Sequence, residues 1–207
     1  MKKAFYLLSI ALIWSACATA SLFNGSDLKG WHAYGTEKWY AEEGNLIAES
    51  GPDREYGYLC TDQQYDDFDI SLEFMMVSNG NSGLFIRSTV SGTKVSGWQV
   101  EIAPEKDKTG GVYESYGRGW LKLPEESTVN PLKANDWNLL RARVVGAHIE
   151  TWLNGQPMVT LDDQKIGDGH GSICLQIHAG NDIKVKFRNI KIKETVPEGR
   201  FRNSPIL

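Results

Sequence analysis

The residues best suited to chemistry lie in short runs that read as β-strands with one apolar and one polar face. From Gly80 to Ile102 the chain reads GNSGLFIRSTVSGTKVSGWQVEI. Successive strand side chains point to opposite faces. Leu84 and Ile86 therefore share one face, and Phe85 and Arg87 the other. Over Trp98–Ile102, Val100 and Ile102 oppose Gln99 and Glu101. In the later run GSICLQIH, Ile173, Leu175 and Ile177 oppose Ser172, Cys174, Gln176 and His178. Glu73 has the parity opposite to Phe68, Ile70, Leu72, Phe74 and Met76, and is a candidate to share a face with Arg87 and Glu101. Asn81, Ser82 and Gly83 turn the chain into the first of these strands. Planar hydrogen-bonding groups in a groove, backed by a dry core, are the chemistry of a carbohydrate-type site. A plainer reading stays open beside it, a half-exposed antiparallel strand pair with a solvated face.

The elements that must position these groups are nearly all strands. Tyr58–Thr61, Phe68–Met76, Trp137–Val145, His148–Leu153, Gly171–His178 and Val185–Ile192 all read so, with turn signals between them. Trp39–Ala48 reads as a hairpin turning at Gly44-Asn45, and Asn154-Gly155 carries a type I′ hairpin signal. No amphipathic helix of useful length is visible. The expected fold is all-β, a sandwich of two antiparallel sheets, with Ile70, Leu72, Phe74, Leu84, Ile86, Val100, Ile102, Ile173, Leu175 and Ile177 between the layers. With no internal repeat and no linker, residues 21–207 are expected to form one domain. The segment Ala103–Pro131 has weak periodicity and is expected to be a long aromatic-rich loop, a lid or a wall beside the polar face. Its glycines make no phosphate loop, because no Gly-Lys-Ser/Thr follows.

Composition narrows the classes. The chain has 207 residues, of which 41% are hydrophobic, enough for a sizeable core and too few for a membrane-embedded protein. A net charge of −4 and the lack of a basic patch argue against a nucleic-acid partner. Residues 1–20 read as a secretory signal: Lys2 and Lys3, an apolar run over Ala4–Trp14, then Ala18-Thr19-Ala20 as a cleavage site. The alternative is a lipoprotein anchored at Cys17, although Trp14 stands where an aliphatic residue is usual. No other run is long enough to span a bilayer. An exported protein can carry a disulfide. Pairing Cys60 with Cys174 requires their strands to be neighbours in the right register, and two buried free thiols are expected instead.

LFNGSDLKGW, YDDFDISLEF, GNSGLFIR, GWQVEI, TGGVY, WLNG, GSICLQIH and FRNIKI follow one another in an order that resembles the 3-keto-disaccharide hydrolase family. The resemblance spans almost the whole mature chain. It implies a concanavalin A-like lectin/glucanase sandwich, and relatives of that fold include pure binders. One departure concerns the site. Where the family usually carries Glu, Gln and then Asp along one strand, this chain reads Gln99-Val100-Glu101-Ile102-Ala103-Pro104. Glu and Gln stand exchanged, and Pro104 replaces the Asp. Any role of that Asp is lost or moved, with Glu105 and Asp107 the nearest candidates.

The resemblance implies cleavage of a glycoside whose C3 hydroxyl has become a ketone. Such a ketone acidifies the hydrogen on C2, so a base can form an enolate and expel the group on C1. The reaction needs a base, a partner for the enolate oxygen and an acid for the leaving group. Glu101 or His178 is the candidate base, and Arg87 suits the enolate oxygen. Asn81, Glu73, Gln99 and Gln176 are candidates to bind the sugar, and Tyr113 to wall the groove. A rival mechanism is direct hydrolysis by the carboxylates Glu73 and Glu101. A non-catalytic carbohydrate-binding module is the alternative to an enzyme. No cofactor is expected and no metal motif is legible, though calcium stays open through loop carbonyls and Asp66, Asp67, Asp162 or Asp168. Arg188 is expected to pair with a carboxylate in the sheet.

Overall fold

A computed structural model describes residues 18–78, 80–104, 108–129, 131–180 and 182–195. Residues 1–17 of the segment expected to be a signal, and Glu105 and Asp107, lie outside the described residues. The strands are β1 (Ala20–Ser21), β2 (Trp31–Tyr34), β3 (Lys38–Glu42), β4 (Asn45–Glu49), β5 (Gly57–Tyr65), β6 (Phe68–Ser78), β7 (Ser82–Ser91) and β8 (Lys94–Ile102). They continue as β9 (Val112–Ser115), β10 (Gly119–Lys122), β11 (Asn138–Val145), β12 (His148–Leu153), β13 (Gln156–Asp162), β14 (Gly171–Ile177) and β15 (Lys184–Glu194). Among the described residues the one helix is the short α1 (Gln164–Gly167), capped by Asp163, whose side chain accepts from the Ile166 amide.

The strands form two antiparallel sheets. One runs β13-β12-β11-β6-β15-β4-β3, with β1 pairing on β15. The other runs β10-β9-β8-β7-β14-β5-β2. Alternating apolar residues fill the space between them. All ten residues expected there, from Ile70 to Ile177, are fully buried. Asn154 and Gly155 both adopt positive φ, 50° and 84°, as the expected hairpin turn requires.

Three expectations are corrected. The segment Ala103–Pro131 is not a long loop: β9 and β10 lie inside it and extend the second sheet beyond β8. Their short length and interleaved glycines hid the pairing.

The thiols are not free either. Cys60 on β5 directly faces Cys174 on β14, their Cα atoms 4.0 Å apart, and the two form a disulfide. Register across strands 114 residues apart decides this pairing.

Arg87 is not on the outer face of its sheet. The register of β7 shifts against β8 between Ile86 and Thr89, and against β14 across Ser172/Cys174. Arg87 sits in that bulge with φ 48°. One extra residue breaks the two-residue period and swings the guanidinium away from the groove. Its side chain is 1% exposed and pairs with Asp67 at 2.8 Å. It also donates to the carbonyls of Asp66 at 2.7 Å, Gly146 at 2.9 Å and Ile166. Arg87 therefore clamps the β5–β6 turn, the β11–β12 turn and α1 together.

Candidate functional site

A groove of about 490 Å³ opens on the outer face of the second sheet. It lies over the ends of β5, β7, β8 and β14, and the β9–β10 hairpin forms one side. Its floor is a chain of polar side chains from neighbouring strands. Glu101 and Gln99 come from β8, Gln176 from β14 and Tyr58 from β5. Gln99 Nε2 donates to Glu101 Oε2 at 2.6 Å, to Gln176 Oε1 at 3.1 Å and to the Ser82 carbonyl at 3.3 Å. Gln176 Nε2 in turn donates to the Tyr58 hydroxyl at 3.3 Å. Glu101, Gln99 and Gln176 are 6%, 5% and 4% exposed, so the network is held rigidly against the sheet. Burial pushes the Tyr58 phenol up to about 12, against a smaller opposing effect of Gln176.

The network needs a residue without a side chain between β8 and β14. Gly83 on β7 lies opposite both Glu101 and Gln176. A Cβ there would come within 2.4 Å of Gln99 Nε2. Gly83 is what lets the Gln99 amide lie flat across the middle strand.

At the mouth, Asn81 precedes β7 and its Oδ1 is buried without a hydrogen-bond partner among the described residues. An orphaned acceptor facing a groove is a place for a ligand hydroxyl. The His178 amide donates to the Asn81 carbonyl at 3.2 Å, fixing the two residues to each other. Tyr113, Tyr116 and Trp120 of the β9–β10 hairpin form the aromatic wall. Tyr113 and Trp120 meet edge to face at 5.3 Å, and Tyr116 stands 63% exposed. Tyr56 faces them, its pKa raised first by burial and then by Tyr116, Tyr113, Glu55 and Glu101. Lys108 supplies a cation to the lining.

Of the residues singled out in the sequence, Glu101, His178, Gln99, Gln176, Asn81 and Tyr113 meet in this groove. Arg87 and Glu73 do not. Glu73 belongs to the other sheet, where Arg188 pairs with it at 2.7 Å and Asn189 donates to it at 2.9 Å. Shared parity identifies a face but not which sheet carries it. Glu73 therefore binds no ligand in the groove, and a mechanism pairing it with Glu101 has no geometric basis. Tyr56, Tyr58 and Lys108 were missed, while Tyr116 and Trp120 were legible only as part of the expected aromatic wall. Tyr58 shares the parity of Cys60 on β5, and the aromatic pattern of residues 113–120 pointed to a wall, but Tyr56 lies just outside its strand and left no periodic signal.

The acids named for calcium are dispersed. Asp66 meets His170, Asp67 meets Arg87, His148 meets Asp162 at 2.8 Å, and Gln164 donates to Asp168 at 2.9 Å. Among the described residues no three His, Cys, Asp or Glu side chains gather as a metal site would require.

A two-sheet sandwich with a buried polar floor, an aromatic wall and an orphaned acceptor belongs to the carbohydrate-active class of β-sandwich domains. Within that class, the chain belongs to the family described as the 3-keto-alpha-glucoside-1,2-lyase-like domain, which it matches over residues 18–193. No curated protein matches it. Among solved structures, it is similar to a candidate glycosyl hydrolase from Parabacteroides distasonis, at 23% identity and a TM-score of 0.66, covering 87% of this chain and 96% of that one. A Bacillus subtilis protein of unknown function with a galectin-like fold superposes at a TM-score of 0.68 and 14% identity, covering 86% and 96% of the two chains. The carbohydrate-binding module CBM66 from Bacillus subtilis does so at 0.64 and 15%, covering 83% and 98%. At these identities the likeness concerns the fold.

Proposed function

We propose that this protein is an exported enzyme that cleaves 3-keto-glycosides, including 3-keto-disaccharides, by elimination across C1 and C2. The observation that carries this reading is the buried Glu101–Gln99–Gln176 floor beneath the unpartnered Asn81 oxygen, in a chain of a family described by lyase chemistry. The floor offers acceptors and donors fixed in advance, as recognition of several sugar hydroxyls requires. Glu101 accepts a hydroxyl hydrogen, Gln176 and Asn81 hold neighbouring hydroxyls, and the Tyr113–Trp120 wall covers the apolar face of a ring. Lys108 places positive charge where the C3 ketone oxygen becomes an enolate. The proton from C2 is taken at the His178 end of the groove. The bond from C1 to the leaving oxygen then breaks, that oxygen is protonated, and water adds to the unsaturated sugar.

Export accords with the Cys60–Cys174 bridge, since disulfides persist in oxidising compartments. A second reading, a module that binds sugars without cleaving them, draws on the likeness to CBM66. One assay separates the two: incubation with matched 3-keto-glycosides and their unoxidised parents, with detection of the released aglycone. Release from the keto series alone supports the enzyme. Binding of either series without release replaces it with the module, and release from the unoxidised parents alone replaces elimination with ordinary glycoside hydrolysis.

A further inference from the structure

His178 cannot touch a substrate with either ring nitrogen. Its Nδ1 lies 2.9 Å from the Ala179 carbonyl oxygen. A carbonyl only accepts, so in the neutral ring Nδ1 carries the hydrogen and Nε2 holds a lone pair. That lone pair faces the Tyr56 hydroxyl at 3.1 Å, and the phenol is the donor. Both nitrogens are thus occupied by protein. The Tyr56 oxygen, in contrast, retains its acceptor capacity and lines the groove.

We propose that Tyr56 is the catalytic residue that exchanges protons with the substrate, and that His178 is a positioning residue acting through it. The proposal rests on the keto-glycoside reading and assigns its proton transfers. In the first step the Tyr56 proton moves to His178 Nε2 while the phenolic oxygen takes the proton from C2. The C2–H electron pair becomes the enolate, the ring becomes imidazolium, and Tyr56 is again a phenol. In the second step the enolate collapses and the C1–O bond breaks, its electron pair leaving with the oxygen. Tyr56 gives its proton to that oxygen and recovers one from Nε2. The net change is one proton moved from C2 to the leaving oxygen, with both residues restored and no other reactant needed.

The surroundings fit this role. The two rings meet at 4.7 Å and 62°, which fixes the hydroxyl against Nε2. The Ala179 carbonyl stabilises the Nδ1–H of the imidazolium. The acidic and phenolic groups around Tyr56, namely Tyr113, Tyr116, Glu55 and Glu101, together with burial, keep it protonated at rest. A free phenolate is thereby disfavoured, and proton transfer to His178 must accompany attack on C2.

The test uses the whole protein and two readouts. The first is cleavage of a 3-keto-glycoside. The second is exchange of the C2 hydrogen for deuterium in heavy water, followed by NMR on a 3-keto-sugar that has no leaving group. Tyr56→Phe keeps the ring contact and removes only the hydroxyl. It is expected to lower both kcat and the exchange rate by about a hundredfold or more, with KM nearly unchanged. His178→Asn should do the same, and the double variant should be no slower than either single one, because the two act as a unit. Exchange or cleavage by Tyr56→Phe within threefold of the wild type overturns the proposal while leaving the function intact. Exchange without cleavage in the wild type, lost in Tyr56→Phe, supports the relay and overturns the cleavage reading. A wild type that neither exchanges nor cleaves overturns both. Thermal melting of each variant identifies any loss that comes from misfolding, and Tyr56→His, which restores an ionisable group, should recover part of the exchange rate only if proton transfer is the role.

Discussion

Replacing Arg87 with Ala should unfold the protein long before it alters the groove. Arg87 is paired with Asp67 and satisfies three backbone carbonyls from three separate segments. Alanine leaves those carbonyls, and an Asp67 whose side chain is only 11% exposed, without their cation. Asp67 keeps one bond, from the Gly146 amide at 2.8 Å. Removing one partner of a buried ion pair costs about 3–5 kcal/mol. For a domain of this size each kcal/mol lowers Tm by roughly 2–4 °C, so the expected fall is roughly 6–20 °C. Thermal denaturation followed by circular dichroism measures it, and a second scan of Asp67→Asn and the double variant tests the cause. The double variant should lose less than the sum of the two singles, since each single already removes the pair. A change within about 0.5 kcal/mol would show that Arg87 behaves as a surface residue and that the bulge does not turn it inward. Folded Arg87→Ala protein with normal melting and a specific loss of turnover would restore it to the active site.

Glu37 is buried, and neither carboxyl oxygen has a hydrogen-bond partner among the described residues. Burial raises its pKa above 4.5, with Asp53 and Glu55 adding to the rise and the nearby amides of Glu37 and Thr36 opposing it. Its neutral form is the one the fold prefers, so wild-type stability should fall as pH rises from about 4.5 through the raised value. Glu37→Gln should flatten that slope and melt higher at neutral pH; an unchanged slope would remove Glu37 as its source. Gly83→Ala pushes the Gln99 amide off the floor, and kcat/KM should drop roughly a hundredfold with little change in melting, because small displacements of positioning groups are costly. Full activity in that variant would mean that the floor does not position the substrate. Reducing Cys60–Cys174 should lower stability by about 2–4 kcal/mol in urea titration, whereas identical midpoints with and without reductant would show that the bridge does not form in solution.

Residue alternation alone shows which side of an unbulged strand is dry. Ile70, Leu72, Phe74, Val100 and Leu175 could be assigned to the interior because a two-residue period is set by backbone geometry and needs no knowledge of neighbours. The Asn154-Gly155 turn was legible for the same local reason, a conformation that few other residue pairs accept. Glu101, Gln99, Gln176 and His178 emerged as polar counterparts of buried runs, and the structure gathers them in one groove. The remaining questions depend on how distant segments align, which local periodicity does not encode. Which sheet a strand joins separates Glu73 from Glu101. The register of β5 against β14 sets Cys60 on Cys174. A single inserted residue in β7 inverts the parity on which Arg87 was placed, since a bulge is visible only in the mismatch between one strand and its neighbours. The contact between Tyr56 and His178 joins residues 122 apart. No periodicity reaches that far along the chain, and only the pairing of β5 with β14 brings the two rings together.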